Sequence, residues 1–449
     1  MLSLFQMKNI IFILISFIFA FSCQNPTVED KQIEKIDNPF TGKNPWPEIR
    51  KKRINQLLPE AMERAEVDAW MVICRENNND PMALHIGGEN AGGTSFYIFH
   101  KLNSTIKSVV FCSFGEVTAL KELGIHDSII SVSRGQDVFQ LATQYVKELN
   151  PNNIAINMST ANSTADGLSH SQYKKLAQSF DADFEGKLVS SEELVYEWLS
   201  IKLPEEVEIM RKAAEITAQW EVEAYEMITP GKTTDAEVAK FLNDKIKTYG
   251  YEDGWNPEQN PNVNSGPDRG HSHATNKVIM PGDVIQTDFG IKVYGIWVTD
   301  IQRFAYVLKE GESKAPEDIQ RYWDVAKKGH RLVFENMKPG ISGYELDKKQ
   351  RKWMKENGSL PVPWSTGHPV GYVAHDVGPS LGGGQEGINP SKSALKPLRE
   401  GMVFAYDGFY AWNIEGGEKT ISVEEMVVVT EDGARYLTEP QEELILIKK

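Results

Sequence analysis

Four stretches of this chain place carboxylates or imidazoles inside runs that otherwise read as buried β-strand. An unpaired charge in an apolar interior is prohibitive, so these groups need a common partner or a common proton. The first stretch is Gln286-Thr287-Asp288-Phe289-Gly290, followed by Thr299-Asp300. A hairpin closed by the three-residue loop Val293-Tyr294-Gly295 sets Asp288 directly opposite Asp300, with Gly295 last, where a positive φ is wanted. Opposed residues have Cβ atoms about 4.5–5.5 Å apart. Two carboxylates that close repel strongly unless they share a proton or a divalent cation; the bland alternative is a solvated hairpin.

The second stretch runs from Gly367 to Gly378 and carries His368 and His375. Their odd separation forbids one face of a flat strand, but a turn at Pro369–Gly371 returns both to one cavity. Two surface histidines beside a glycine-rich loop is the competing reading. The third is Gly401–Asp407, a strand ending in Asp407, which by itself reads as an ordinary strand terminator. The fourth is Thr420–Thr430, with Glu424 and Glu425 inside an apolar strand. Alternation lets only one of them face the core, and it does not choose, because Ile421, Val423 and Val427 share parity with Glu425.

Around these stretches the texture is α/β, then α+β. Apolar residues at helical spacing over Trp46–Ala65 predict an amphipathic helix, interrupted at Pro59. Strands are expected at Ala69–Ile73, Thr94–Phe99, Ile106–Phe111, Ser128–Val132 and Ile154–Ile156, with helices at Gln136–Leu149 and Ser169–Gln178 between them. Beyond Pro204 the pattern becomes two long helices, Glu205–Ile228 and Thr234–Tyr249. Strands Val284–Gly290 and Trp297–Val307 follow, then helices Pro316–Met337 and Ser342–Glu356, and strands Met402–Tyr410 and Thr420–Thr430.

Composition narrows the chemistry. The net charge of −15 argues against a nucleic-acid partner, which needs a basic stripe. Three cysteines exclude a disulfide scaffold and a zinc site built from cysteine pairs; Cys74 and Cys112 read as free buried thiols, with a single bridge between them as the alternative. With nine histidines against 63 carboxylates, any metal site is expected to be rich in oxygen ligands. At the N-terminus, Lys8 and the apolar run Ile10–Phe21 read as an export signal, too short to span a bilayer. Ala20-Phe21-Ser22-Cys23 resembles a bacterial lipobox, in which the cysteine becomes the lipidated terminus. The polar stretch after it reads as a tether.

Asp, Asp, His, acid and Glu in that order on paired strands resemble the creatinase/aminopeptidase, or pita-bread, metallopeptidases. The specific parts are Pro281–Gly290, Asp300-Ile301-Gln302-Arg303-Phe304 and Val423–Gly433, with His375-Asp376-Val377-Gly378 pointing to the Xaa-Pro aminopeptidase/prolidase branch. The resemblance implies an α/β N-terminal domain plus an α+β pita-bread catalytic domain. The organisation expected is a lipoprotein signal peptide over 1–23, a tether over 24–44, the N-terminal domain over 45–203 and the metallopeptidase domain over 204–449.

The resemblance further implies that Asp288, Asp300, His368, Asp407 and Glu424 ligate two divalent ions. Mn²⁺ is favoured, with Co²⁺ or Zn²⁺ as alternatives. His375 matches a histidine that polarises the scissile carbonyl, and His271 or His273 matches a second site histidine. Asp407 takes the proton-shuttling place, and Arg303 is expected to be structural. Asp407 stands where the family has Glu, and Ser422 where this branch tends to carry Arg. The implied activity is cleavage of Xaa-Pro bonds at the N-terminus of peptides, by a homodimer lipid-anchored through Cys23 in the cell envelope, on the periplasmic or outer surface. A weak or inactive peptide-binding homologue and a metal-free creatinase-like hydrolase are the alternatives.

Overall fold

The computed structural model describes residues 38–102, 105–269 and 273–448. The signal and tether readings over 1–37, Cys23 and His271 lie outside the described residues. The first described helix is interrupted as its proline demands. Trp46–Lys52 and Leu58–Arg64 are α-helical, and a wide turn at Arg53–Leu57 joins them, admitting Pro59 without a missing donor.

A six-stranded mixed sheet follows, in the order Ser128–Val132, Thr105–Ser113, Ser95–Leu102, Ala69–Cys74, Ile154–Ile156 and Leu188–Ser190. One face packs Met71, Ile73, Phe96 and Ile98 against Phe139 and Val146 of helix Val138–Leu149 and Leu176 of helix His170–Ser179. The other face buries Trp70, Val72, Phe99 and Val110 in the largest core, with Trp198. Burial on both faces explains why the central strands Ala69–Cys74 and Ser95–Leu102 read as continuous apolar runs. Cys74 and Cys112 are buried and unbridged.

The second sheet is curled, and it carries the four polar stretches. Its path is β1 (Asn262–Ser265), β2 (Val284–Phe289), β3 (Ile301–Val307), β4 (Gly367–Pro369), β5 (Val403–Ile414) and β6 (Gly417–Val429), laid side by side as β4-β5-β6-β3-β2-β1. Helix Pro204–Glu226 packs behind β3, where the Tyr225 hydroxyl donates to the Arg303 carbonyl at 2.5 Å. Helix Glu317–Asn336 packs against β5 at Gly408. A Cβ there would lie 2.3 Å from the Ala326 carbonyl oxygen, so the close approach requires glycine. The described residues from Pro39 onward belong to one compact unit. Among the described residues, no helix is long and apolar enough to cross a membrane.

Two expectations change. The single strand over Trp297–Val307 is two, Trp297–Val298 and Ile301–Val307. The short one belongs to a separate three-stranded ladder with Ile291–Val293 and Glu252–Asp253. The hairpin register is also shifted by one loop position. Val293 pairs with Trp297, so the loop is Tyr294-Gly295-Ile296, with Tyr294 and Gly295 both at positive φ (55° and 68°). Two left-handed residues move the turn one residue along. Asp288 therefore faces Gln302, and not Asp300. Because the shift moves each partner by two residues, Asp300 keeps its face and becomes the diagonal neighbour of Asp288.

Candidate metal centre

A single level of the curled sheet runs through the site. Asn262 on β1 pairs with Asp288 on β2, Asp288 with Gln302 on β3, Gln302 with Glu424 on β6, and Glu424 with Asp407 on β5. Directly opposed residues point to one face, so five strands deliver five polar side chains to one concave surface. All five line a cavity of about 430 Å³, together with Asp300, His368 and His375. Gln302 and Asn262 were not singled out from the sequence. An amide inside a strand carries no charge to mark it, and only the register shows that it stands between two carboxylates.

The parity question over Glu424 and Glu425 has a simple answer. Glu425 turns to the opposite face and is taken by Arg303 in a bidentate ion pair, at 3.0 and 3.2 Å. The backbone N–H of Gln441 also donates to it at 2.7 Å. Arg303 is thus structural, as expected. Glu424 is left to the cavity. Beside it, the Ser422 hydroxyl donates to Gln302 Oε1 at 2.6 Å, and the Gln286 amide donates to the same oxygen at 2.5 Å.

His368 enters from β4, whose pairing with β5 sets it opposite Ala405. Its Nε2 lies 3.6 Å from Asp300 Oδ2 and 3.9 Å from Glu424 Oε1. One ligand atom from each of these three residues lies within 4.8 Å of the others. The turn after Pro369 brings His375 back, with its ring centroid 4.2 Å from that of His368 and the planes inclined by 57°. The two imidazoles share the cavity without sharing a direction. His273 is exposed and is not among the residues that line the cavity.

The electrostatics show what the pocket lacks. Burial holds Asp300 well above the usual carboxylate range, and the charges of Asp288 and Asp407 add to it. Glu424 is raised in the same way, by burial and then by Asp300, Asp407 and Asp288. Asp407 is raised by burial and by Asp288. Asp407 Oδ1 and Glu424 Oε2 are buried with no hydrogen-bond donor among the described residues. Clustered carboxylates with unsatisfied oxygens and an adjacent imidazole fit divalent cations, which supply the missing positive charge. The donor set is rich in oxygen, with one imidazole nitrogen from His368. Asp407 is one methylene shorter than Glu, but its place opposite Glu424 puts it in the same cavity.

Comparisons with known proteins converge on this region. Residues 208–431 match the model of metallopeptidase family M24. An Xaa-Pro dipeptidase of Pyrococcus furiosus is 31% identical over 250 residues, covering 55% of this chain and 65% of its own length. An Xaa-Pro dipeptidase of Pyrococcus horikoshii is 30% identical over 249 residues, covering 55% of this chain and 64% of its own. The chain thus spans a little under two thirds of the length of these curated relatives. Among solved structures, an X-Pro aminopeptidase from Thermotoga maritima superposes with a TM-score of 0.65 at 22% identity, over 86% of this chain and all of that one. The prolidase from Pyrococcus horikoshii gives 0.62 at 22%, over 88% and 99%. The fold is the pita-bread fold with an α/β region before it.

Proposed function

Residues 208–431 match the model of metallopeptidase family M24, and from that premise we propose that this chain is a member of that family, a metal-dependent peptidase cleaving Xaa-Pro bonds at the N-terminus of peptides. The observation that carries the reading is the set Asp288, Asp300, His368, Asp407 and Glu424, converging on one cavity in which Asp407 Oδ1 and Glu424 Oε2 are buried with no hydrogen-bond donor among the described residues. The relatives named above are Xaa-Pro dipeptidases, which supports the choice of bond.

In this reading Asp288, Asp300, His368, Asp407 and Glu424 hold two divalent cations, Mn²⁺ by the balance of oxygen over nitrogen donors. Once bound, the cations lower the pKa of an attacking water and polarise the carbonyl before proline. The chain's own groups do the rest. His375 donates its imidazole N–H to the oxygen that becomes negative as the carbonyl turns tetrahedral. His271 or His273 is the second donor. Asp407 carries the proton from the water to the proline nitrogen as it leaves. The cavity walls, with Trp255 and Trp364, hold the peptide against this surface.

The wider setting is proposed on the same footing. Peptides are the substrates, the chain works as a homodimer, and a lipid on Cys23 anchors it in the cell envelope. The sequence Ala20–Cys23 and the polar stretch after it support the anchor.

The test is metal analysis of the purified protein, followed by hydrolysis of a panel of Gly-Pro and Xaa-Pro-Yaa peptides. About two equivalents of metal with cleavage before proline is the expected result. Metal without cleavage of any panel member identifies a peptide-binding homologue. Full activity in metal-depleted protein identifies a creatinase-like hydrolase.

A further inference from the structure

His375 sits on a stretch with no regular secondary structure, residues 370–378, and it is exposed. Neither a helix nor a strand aims it, so its direction is set by whatever holds the loop. Two buried ion pairs do so, and neither belongs to the ring of proposed ligands.

Lys202 lies between helices Glu192–Leu199 and Pro204–Glu226. Its ammonium is 3.2 Å from Asp376 Oδ2, and the two side chains are only 1% and 3% exposed. It also donates to the Leu199 carbonyl at 2.6 Å. Asp376 is the residue directly after His375, and it closes the loop on itself. Its Oδ2 accepts from the Tyr372 N–H at 3.0 Å, its Oδ1 accepts from the Val377 N–H at 2.8 Å, and its own N–H donates to the Pro369 carbonyl at 3.0 Å. The near corner is held by Tyr372. Its hydroxyl donates to Glu206 at 2.7 Å, and Glu206 pairs with Arg53 at 2.6 Å, with both side chains at 1% exposure or less. Gly371 must be glycine here, because a Cβ would lie 2.3 Å from Lys202 Cε and 2.4 Å from Asp376 Oδ2.

A buried ion pair is a poor device for stability, since desolvation offsets most of the attraction. It is a good device for fixing one geometry, because either charge left alone is strongly disfavoured. We propose that Lys202 and Asp376 are positioning residues that aim His375 into the cavity, with Tyr372, Glu206 and Arg53 fixing the other end of the same loop. The inference rests on the role proposed above for His375.

The experiment uses the full, metal-loaded chain. Lys202→Met should lower kcat on an Xaa-Pro substrate by about 10- to 100-fold, the scale of an ångström-sized misplacement, with metal content unchanged. In a His375→Ala background the same substitution should cost nothing further, because the residue it aims is gone. Lys202→Met/Asp376→Asn removes the stranded charge. It should recover the melting temperature while kcat stays low, which separates aiming from folding. Hydrogen exchange supplies a readout independent of activity: amides of residues 370–378 should exchange faster in Lys202→Met while β5 and β6 stay protected. Wild-type kcat in Lys202→Met, or an equal loss in the His375→Ala background, overturns the proposal. If the wild-type protein cleaves no panel peptide, the activity reading fails by itself. Unchanged protection of 370–378 in Lys202→Met would then overturn the positioning role on its own evidence.

Discussion

Asp80, in the N-terminal region and far in sequence from the site, shows what burial does to a carboxyl when hydrogen bonds only partly compensate. It is 4% exposed, and its Oδ1 accepts from the Met82 N–H and the Asn157 amide. Burial nevertheless pushes the group up to about 6. A carboxyl raised in the folded state binds more protons than it does unfolded. Its contribution is therefore complete below pH ~4 and is lost as pH rises through about 6, by roughly 3 kcal/mol in all. Asp80→Asn keeps an acceptor for both donors and removes the titration. Urea unfolding from pH 4 to 7 should show a falling stability in wild type and a flatter profile in the variant; equal slopes would refute the assignment. At the cavity, the two histidines separate by role. His375→Ala should reduce kcat by about 10²–10³-fold with metal content intact, and His368→Ala should lose metal together with rate. Loss of stoichiometric metal in His375→Ala would mean that the two assignments are exchanged. Asp300→Ala should lose both metal and activity, since Asp300 lies between His368 and the other carboxylates.

At the scale of elements, the acidic residues were legible because charge inside an apolar strand has few explanations. The helices were legible too, including the interruption at Pro59. Register was not. The hairpin between Asp288 and Asp300 closes on either of two three-residue loops that overlap at Tyr294-Gly295, and only the positive φ of Tyr294 decides between them. Glu424 and Glu425 were indistinguishable for a related reason. β6 is buried on both faces, so parity carries no contrast, and the choice is made by Arg303 on the neighbouring strand. Lys202, Arg53 and Glu206 were invisible, because a charged residue near a helix terminus ordinarily reads as solvated. Gly408 gives this scale its own prediction. Gly408→Val would drive β5 away from helix Glu317–Asn336, which approaches within a Cβ's reach. Overpacking of this kind costs about 1–3 kcal/mol or more, and because Gly408 adjoins Asp407 it should also weaken metal binding. A melting temperature and metal affinity both equal to wild type would contradict the close packing.

For the whole molecule, the proposed lipid anchor rests on residues outside the described structure. Cys23→Ser should release the protein from membranes or leave an uncleaved precursor, read by fractionation and by electrophoretic migration. Wild-type behaviour in both would remove the lipid anchor from the account while leaving the catalytic reading untouched. The row of side chains from Asn262 through Asp288, Gln302 and Glu424 to Asp407 has a consequence for how such a protein comes into being. Its members come from three separate stretches of the chain, at 262, 288–302 and 407–424, and meet only through strand pairing, and a slip of one residue in any strand turns its member to the other face. No fragment of the nascent polypeptide therefore holds the whole set of proposed metal ligands. Loading must be the last event of maturation, after the strand bearing Glu424 has closed against both its neighbours. A chain exported unfolded would acquire its metal at its destination, from whatever supply that compartment offers.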